Sequence, residues 1–432
     1  MSLLERPEAR ALLREAEVSA EEVQGCQEHL NQFLQRYLPL FARREQRELA
    51  EIVVQGRLSH LQRKTSEPIA YQAGHTRKPV QNFVGAGAWD DEGVMAELRC
   101  EVGDELADRE GVLILDPSSF AKKGTESCGV ARQWCGRLGK VDNCQVGVFW
   151  GYASRRGCAL VDRRLYLPKE RAKDSEHRHK THVPAAVVFQ PKWRIGLARL
   201  DEIGADLPHG WIAADDEFGR VTAFRAGLRA RDERYVVDVP SNTSVREFEV
   251  RQDGAGSFTR VDVWARQQPS SRWRKVCIRP GEKGALVVRV LTAVVQTKNE
   301  KGRVGTIERV VVMRSVTGEP RTWYALSNAW DASLQELVRV KNTRHRIEEL
   351  FQQAKGEVGL ADYEVRSWVG WHHHMTLSLL ALWFLSLEKR RMGGENPGSN
   401  RGSSPRNIRP PAAPAQAEPR KNCQSNHPSP AA

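Results

Sequence analysis

Two aspartates stand where carboxylates could be brought together to hold metal ions. Asp116 ends the apolar run GVLILD, and Asp215 ends the apolar run GWIAAD. A short continuous apolar run of this kind is typical of a strand buried on both faces. If the two strands lie side by side and parallel, both carboxylates lie at one edge of the sheet. Asp216 and Glu217 follow directly, so the second acid has a one-residue alternative.

A third acid, Glu348, lies on a helix predicted over 333–357. At about 100° per residue, one face of this helix is an apolar stripe, and Arg344, Glu348 and Lys355 share the neighbouring line. The helix can therefore bury its stripe against a sheet while Glu348, flanked by two cations, faces the aspartates. The alternative is an exposed Arg–Glu pair one turn apart, worth only about 0.2–0.5 kcal/mol. The stripe consists of Ile347, Leu350, Phe351 and Ala354.

Three converging carboxylates favour the chemistry of phosphodiester bonds. Hydrolysis and strand transfer are in-line displacements at phosphorus, and two cations about 3.5–4 Å apart can stabilise the entering and leaving oxygens. Mg²⁺ prefers carboxylate and phosphate oxygens, and Mn²⁺ suits the same ligands. Without cations, the three acids would repel one another. We expect two Mg²⁺ ions, bridged by Asp116, with Asp215 and Glu348 each completing one.

The order of the predicted elements indicates the fold that must position these acids. Three strands are followed by helix, strand, helix and strand, which is the order of an RNase H-like, retroviral-integrase-like α/β fold. The predicted strands and helices after the GVLILD strand are strands 145–154 and 159–168, helix 191–203, the GWIAAD strand, helix 221–232 and strand 234–240.

Composition along the chain divides it into five predicted segments. A helical N-terminal domain precedes the catalytic core, and a β-rich insertion with strands at 258–264, 286–295 and 307–314 interrupts it. The C-terminal segment is rich in Pro, Ser, Asn and Gly, which predicts disorder. The predicted boundaries are 1–105 (helical, DNA-binding), 106–240 (first part of the core), 241–322 (insertion), 323–391 (last part of the core) and 392–432 (disordered tail).

The charge of the chain favours a polyanionic partner. The formal net charge is +12, which is compatible with double-stranded DNA and equally with an ordinary basic protein. Arg77 and Lys78, beside a Gly-His-Thr turn between two predicted short helices, and Lys122 and Lys123, just past Asp116, are candidate DNA contacts. A structural helical cap is the alternative for the N-terminal helices, and a solvated loop for the two lysines.

Other residue groups give weaker signals. The eight cysteines form no CxxC pair, and the histidines at 177, 179, 182 and 372–374 lack partners with zinc-ligand spacing. The longest apolar run, 375–387, is shorter than the roughly 20 residues that span a bilayer, so we expect a buried helix. The opening residues carry charges throughout and no apolar signal region. A reduced, cytoplasmic, nucleoid-associated protein without membrane contact is therefore expected.

The region 344–385 resembles the catalytic-helix region of DDE transposases from bacterial insertion sequences. The branch in question carries a Y-x2-R-x3-E-x6-K signature, which Arg344, Glu348 and Lys355 match in spacing. LDPSSFAKKG resembles the first-acid segment of the family, with its aspartate at Asp116. GWIAADDEFG resembles the second, with its aspartate at Asp215. The signature tyrosine is replaced by Lys341.

The resemblance implies a full transposition reaction on double-stranded DNA, at both the element ends and the target. It also implies a homodimer in the DNA complex, and a β-rich insertion in which an aromatic residue stacks on a displaced base. By location, Trp264, Trp273 and Trp323 are candidates, although a core position is the alternative for each. Two other functions stay open: a structure-specific nuclease without strand transfer, and a catalytically inactive DNA-binding remnant.

Overall fold

The computed structural model describes residues 20–248, 257–279, 286–316 and 321–392. Except for Met392, the tail predicted at 392–432 lies outside the described residues.

The described chain begins with helices that pack onto its last helix. The rings of Phe33 and Tyr37 in the first helix contact each other at a tilted angle, and Phe33 also contacts Phe384 of the last helix. The predicted break between two short helices is present, and there Gly74 has a φ of +72°, a conformation in which a Cβ is strained. These helices are α1 (Ala20–Tyr37), α2 (Arg44–Leu58), α3 (Ser66–Gln72), α4 (Arg77–Ala86) and α5 (Asp91–Leu106).

The strands of the described residues form one mixed sheet of twelve strands, in the order β2-β3-β1-β5-β6-β12-β11-β10-β7-β8, with β4 on β3 and β9 on β10. The strands are β1 (Val112–Ala121), β2 (Ala131–Cys135), β3 (Lys140–Ala153), β4 (Cys158–Leu165), β5 (Trp211–Ala214), β6 (Tyr235–Asp238), β7 (Ser244–Glu247), β8 (Thr259–Arg260), β9 (Arg274–Arg279), β10 (Leu286–Lys298), β11 (Val304–Ser315) and β12 (Thr322–Ser327).

The centre of the sheet is parallel, and this decides where the two aspartates lie. Strand β5 pairs in parallel with both β1 and β6, whereas β3 pairs with β1 antiparallel. Leu115 is in register with Ala214. The next residues, Asp116 and Asp215, therefore lie at the same edge of the sheet. The mixed α/β architecture and its large mixed sheet are consistent with an RNase H-like fold.

The remaining helices cover the sheet or connect its strands. The predicted helices over 191–203 and 221–232 are present as α8 and α10. The helices are α6 (Lys169–Lys173), α7 (Ser175–Lys180), α8 (Lys192–Ile203), α9 (Asp216–Gly219), α10 (Thr222–Arg229), α11 (Val261–Gln267), α12 (Leu334–Thr343), α13 (His345–Gly356) and α14 (Trp368–Arg391).

Two predicted elements differ from the structure. The run 258–264, predicted as a strand, is a two-residue strand followed by helix α11. The β-branched valines suggested a strand, but Val261, Trp264 and Ala265 are buried at the i, i+3, i+4 spacing of a helix face. The helix predicted over 333–357 is two helices that meet at Arg344. The Thr343 hydroxyl donates to the carbonyl of Arg339, a contact that often bends helices.

The strands of residues 241–322 extend the central sheet. Strand β12 joins β11 to β6, so the hairpin β10–β11 continues the sheet. On one face of this hairpin, Leu291, Val295 and Val310 form a second hydrophobic cluster with Trp264. Residues on the other face, such as Val290, belong to the main core. The domain boundaries given above stay predictions.

The apolar run 375–387 lies within α14, whose side chains are mostly buried. Among the described residues, no helix is long and apolar enough to cross a membrane.

Candidate active site

Asp116 and Asp215 lie side by side where β5 ends. The apolar run predicted to end at Asp116 continues as strand β1 to Ala121, because residues 117–121 still pair with β3. Asp116 is buried, with 8% of its surface exposed. Asp215 caps the short helix α9, and its carboxylate accepts hydrogen bonds from the backbone N–H groups of Glu217 and Phe218 at 3.1 and 3.3 Å. Asp215 lines the cavity described next, whereas the neighbouring Asp216 does not.

A cavity of roughly 470 Å³ opens beside these aspartates, and we call it the acid cavity. Glu348 lines it from helix α13, and its side chain is 44% exposed. The three acids chosen from the sequence therefore share one cavity. Its lining comprises Asp116, Pro117, Ser118, Ser119, Trp134, Gly136, Arg137, Val146, Lys192, Asp215, Glu217, Glu348, Phe351, Gln352 and Lys355.

Arg344 links the acids at the junction of α12 and α13. Its Nη2 lies 2.6 Å from Oε1 of Glu348, and its Nη1 lies 3.5 Å from Oδ2 of Asp116. Its Nε lies 3.1 Å from Oδ2 of Asp238, at the end of β6. The other carboxylate oxygen of Glu348 lies 2.9 Å from Nδ1 of His345. Arg344 is therefore the counter-ion of three carboxylates on three different elements.

The pKa values of the two aspartates show that this compensation is incomplete. Burial, and then the neighbouring Asp215, raise the pKa of Asp116 well above its ordinary value. Burial and the neighbouring Glu217 raise the pKa of Asp215 to about 7. Burial opposes ionisation because it removes water from the charge, and a nearby like charge adds repulsion. Ionising both carboxylates is therefore unfavourable despite the neighbouring Arg344.

The donor chemistry of this site fits a hard divalent cation. Carboxylate oxygens are the ligands that Mg²⁺ and Mn²⁺ prefer, and a cation would relieve the repulsion between Asp116 and Asp215. Among the residues that the structure describes, no three acidic, histidine or cysteine side chains surround one point closely enough to hold a metal ion. Glu348 is instead held by Arg344 and His345.

Lys341, which replaces the signature tyrosine, takes part in the same network. It is buried, and its Nζ lies 2.9 Å from Oδ2 of Asp238. Asp238 thus receives two cations, Lys341 and Arg344. The substitution is accommodated as a buried ion pair next to the acid cavity.

Positively charged side chains also line the acid cavity. Lys355 and Arg137 line it, and Lys192 lies 2.7 Å from the Oε1 atom of Glu217. Burial, and then the like charge of Arg137, lower the pKa of the Lys355 ammonium. A phosphate between these cations would be attracted to both.

The other cations chosen from the sequence lie elsewhere. Lys122 donates to the carbonyl of Tyr363 at 3.2 Å, and its Nζ lies 3.4 Å from the centre of the Tyr363 ring. Burial lowers the pKa of Lys122 to about 8. Lys123 is exposed, and neither lysine lines the acid cavity. Arg77 and Lys78 lie on the surface at the start of α4, where Arg77 pairs with a glutamate of α3.

The tryptophans and histidines singled out in the sequence also lie outside the acid cavity. Trp264 is 5% exposed and Trp323 is 37% exposed, and Trp273 stacks against the Arg314 guanidinium at 4.5 Å. The histidines 372–374 are buried in α14. Of the histidines in 177–182, the one at 177 is buried in α7. Among the described residues, none of these histidines belongs to a group that could hold a metal.

Four residues of this site were missed by the sequence interpretation. Asp238 follows a short apolar run in the sequence, as Asp116 and Asp215 do, so the same pattern could have identified it. Arg137 and Trp134 lie on the hairpin β2–β3, and Lys192 opens α8. Nothing in their local sequence distinguishes these three from ordinary surface residues, because only the fold brings them to the cavity.

Comparison with known proteins agrees with this geometry. The sequence profile of the DDE superfamily endonuclease family matches residues 36–284, which is more than half of the chain. This match contains the two aspartates and ends before Glu348. The chain is also 23% identical over 345 residues to the probable transposase for insertion sequence element IS701 of Microchaete diplosiphon. That similarity covers 78% of this chain and 81% of the relative.

The three acids that line one cavity are consistent with both similarities. The chain belongs to the DDE superfamily of endonucleases, as a transposase of an insertion sequence.

Proposed function

We propose that Asp116, Asp215 and Glu348 are the metal-holding acids of a cut-and-paste DNA transposase. The observation that carries the proposal is that all three line one cavity, in which two of them have raised pKa values. Structural acids are ordinarily compensated by their partners, whereas displaced pKa values are characteristic of functional sites.

The proposed reaction has two displacements at phosphorus. In the first, a water oxygen bonds to the phosphorus at the end of the element, and the bond from phosphorus to the 3′ oxygen breaks, which leaves a free 3′-OH. In the second, this 3′ oxygen bonds to a phosphorus of the target or of the opposite strand, and another 3′ oxygen leaves. Each step exchanges one phosphodiester oxygen for another, so no oxidant or external energy source is needed.

Each residue of the site has a proposed role. Bound Mg²⁺ or Mn²⁺ would offset the charge on the entering and leaving oxygens, and DDE endonucleases generally use divalent metals. Asp116 would contact both ions, and Asp215 and Glu348 one each. Arg344 and Lys355 would bind phosphates beside the cleaved bond. Arg344 does not line the acid cavity itself but contacts Asp116 and Glu348, which do, so it would have to exchange a carboxylate partner for a phosphate.

The proposal extends to the rest of the molecule. The helical segment 1–105, with Arg77 and Lys78, would contact the terminal inverted repeats. Of the two lysines predicted to contact DNA after Asp116, the exposed Lys123 would do so outside the acid cavity, whereas Lys122 is held by Tyr363. The RNase H-like core would be formed by 106–240 and 323–391, with 241–322 as the insertion. Joining two ends to one target requires two sites, so we propose a homodimer in the DNA complex.

The test uses the purified full-length protein and a labelled linear DNA that carries this gene with its flanking sequence. We expect Mg²⁺-dependent cleavage at the ends of the element, followed by joined products when a target plasmid is added. The substitution Glu348→Gln should abolish cleavage while DNA binding in a filter or mobility assay is retained. Glu349→Gln, the same substitution at the next residue of α13, which does not line the acid cavity, serves as the matched control and should keep cleavage.

The outcomes separate the alternatives. Cleavage without any joined product would show a nuclease instead of a transposase. Binding without cleavage, in Mg²⁺ and in Mn²⁺, would show an inactive remnant. Unchanged cleavage by the Glu348→Gln protein would overturn the assignment of the site.

A further inference from the structure

The hairpin β2–β3 presents an unusual side chain to the acid cavity. Trp134 lines this cavity and is nevertheless 57% exposed. Its cross-strand partner Val141 is 53% exposed, and Leu138 in the turn is 44% exposed. A large aromatic ring that is left in water beside a polar cavity suggests a binding contact, since burying it would stabilise the fold.

The hairpin is held firmly, so Trp134 is displayed from a fixed support. Its turn is tied to β1, because the backbone N–H of Arg137 donates to Oγ of Ser119 at 3.3 Å. Ser119 lies three residues after Asp116 on the same strand. Beneath the hairpin, Cys135 is fully buried in a small cluster with Cys144 and Val146. The ring therefore has a defined position relative to the aspartates.

The charge around Trp134 fits a nucleic acid strand. Alternation along β2 places Arg132 on the same exposed face as Trp134. Arg137 lines the cavity next to it, and Lys355 lines the cavity as well. An indole flanked by cations is the arrangement with which proteins bind single-stranded nucleic acid, the ring stacking on a base and the cations holding phosphates.

The size of the cavity limits what can enter. Its volume of roughly 470 Å³ lies within the range of about 300–1,000 Å³ that is usual for small-ligand pockets. It can therefore receive a nucleotide that has left the double helix. Trp134 lines this cavity, whereas Trp264, Trp273 and Trp323 do not.

We propose that Trp134 stacks on an unpaired base beside the phosphodiester that is cut, while Arg137 binds the adjacent phosphate. This inference rests on the proposed function, because it places the DNA strand in the acid cavity. It adds a base-binding subsite that lies on the hairpin β2–β3 and is separate from the insertion strands. A base held there keeps the end of the duplex open while the acids act on its backbone.

The test measures binding in the Glu348→Gln background, so that cleavage cannot alter the probes. Three labelled probes of arbitrary sequence are compared: a fully paired duplex, the same duplex with a short single-stranded overhang, and a duplex whose overhang is abasic. Trp134→Ala should weaken binding of the overhang probe about 5- to 100-fold. It should leave the paired and abasic probes unchanged. Trp134→Phe, which keeps a ring, should restore most of the affinity.

Two further variants act as controls. Trp330→Ala removes a tryptophan that is 52% exposed and does not line the acid cavity, and it should change none of the three affinities. Arg137→Ala should weaken the overhang and abasic probes alike, because it removes a phosphate contact. Thermal unfolding should show that Trp134→Ala melts like the parent protein, since the ring is mostly in water.

Two results would overturn the inference. One is equal affinity of the Trp134→Ala protein and its parent for the overhang probe, or an equal loss on all three probes. The other is a change of oligomeric state on sedimentation without any change in binding, which would assign the patch to a contact between copies of the chain. The proposed function is judged separately: if the wild-type protein cleaves element ends, it stands even when this subsite fails. If the wild-type protein does not cleave DNA but Trp134→Ala weakens binding of the overhang probe alone, the base-binding subsite is supported and the proposed function is not.

Discussion

The acid cavity and a second cluster of charges use the same residue types in opposite ways. The second cluster, which we call the β4 cluster, consists of Glu92, Asp162, Arg163 and Arg199 from α5, β4 and α8. Arg199 binds both carboxylate oxygens of Asp162 at 2.8 and 2.6 Å and lies 2.9 Å from Oε2 of Glu92. Arg163 lies 3.0 Å from the other oxygen of Glu92. Arg163 also pairs with Asp91 and Arg199 with Glu202, so the two arginines together contact four acids.

The pKa values reflect this difference. Burial would raise the pKa of Glu92, but Arg163 and Arg199 outweigh it and lower the value to about 2. In the acid cavity, burial and a neighbouring acid raise the pKa of Asp215 to about 7. The β4 cluster holds elements together because Glu92 and Asp162 each contact a guanidinium. In the acid cavity, ionising both aspartates costs stability, and a bound cation would offset that cost.

The largest predicted effect is the loss of activity when an aspartate of the acid cavity is replaced, as in Asp116→Asn. We expect a loss of DNA cleavage of roughly 10⁴-fold, because a metal-bound acid contributes several kcal/mol to transition-state stabilisation. In metal-free buffer the same protein should be more stable, since a buried repulsive charge has been removed. Cleavage rates and urea unfolding measure the two effects. A variant that loses both activity and stability would contradict this comparison.

Asp162→Asn should behave in the opposite way. Breaking a buried, fully paired ion pair should lower the free energy of unfolding by about 3 kcal/mol, because Arg199 is left partly uncompensated. Cleavage per folded molecule should stay near the wild-type value. Urea unfolding and cleavage at low temperature are the measurements, with Asp201→Asn, at a surface ion pair, as the control. An unchanged unfolding curve would show that the β4 cluster is not a stabilising unit.

The two lysines that flank the catalytic region should also differ. Lys355→Ala should weaken DNA binding about tenfold and reduce the slope of affinity against salt by about one, because a phosphate contact is lost. Lys122→Ala should leave that slope unchanged and lower stability instead, since Lys122 packs on Tyr363. Binding titrations at several salt concentrations distinguish them. A reduced slope for Lys122→Ala would place DNA on the Tyr363 side as well.

The smallest effect should be on the pH dependence of stability without metal. The pKa of Glu92 is lowered in the fold from 4.5 to about 2. Its contribution is therefore present above pH 4.5 and is lost as the pH falls towards 2. The pKa of Asp215 is raised from 3.8 to about 7, so its contribution is present at low pH and is lost as the pH rises through 7. The melting temperature of Glu92→Gln should depend less on pH than that of the wild type between about pH 2 and 4.5. That of Asp215→Asn should depend less on pH between 3.8 and about 7. Parallel curves for both variants would refute the assignment.

Much of the framework could be predicted from local patterns. The apolar runs that end in Asp116 and Asp215 predict buried strands, and the structure has β1 and β5 there. The spacing of Arg344, Glu348 and Lys355 predicts that they share one side of a helix. These predictions succeed because side-chain periodicity of two or 3.6 residues is a property of the backbone. It is therefore readable without knowledge of the fold.

Other features could not be predicted, for a physical reason. The run 258–264 has β-branched residues but forms helix α11, because burial of Trp264 against the hairpin β10–β11 outweighs local preference. Lys122 was chosen for its closeness in sequence to Asp116, but along a strand of extended backbone a few residues cover a long distance. Its ammonium therefore lies on Tyr363 and away from the acid cavity.

The sequence alone thus determined which apolar runs are followed by acids and which helix face carries the glutamate, since both follow from spacing along one segment. It did not determine that β1 continues past Asp116 to Ala121. Only the tertiary structure decided that Asp238, Arg137, Lys192 and Trp134 join that site, and that Lys341 pairs with Asp238. Their segments are far apart in the chain and meet through the order of strands in the sheet. The charge balance that separates the acid cavity from the β4 cluster is a property of those long-range contacts, so no local pattern records it.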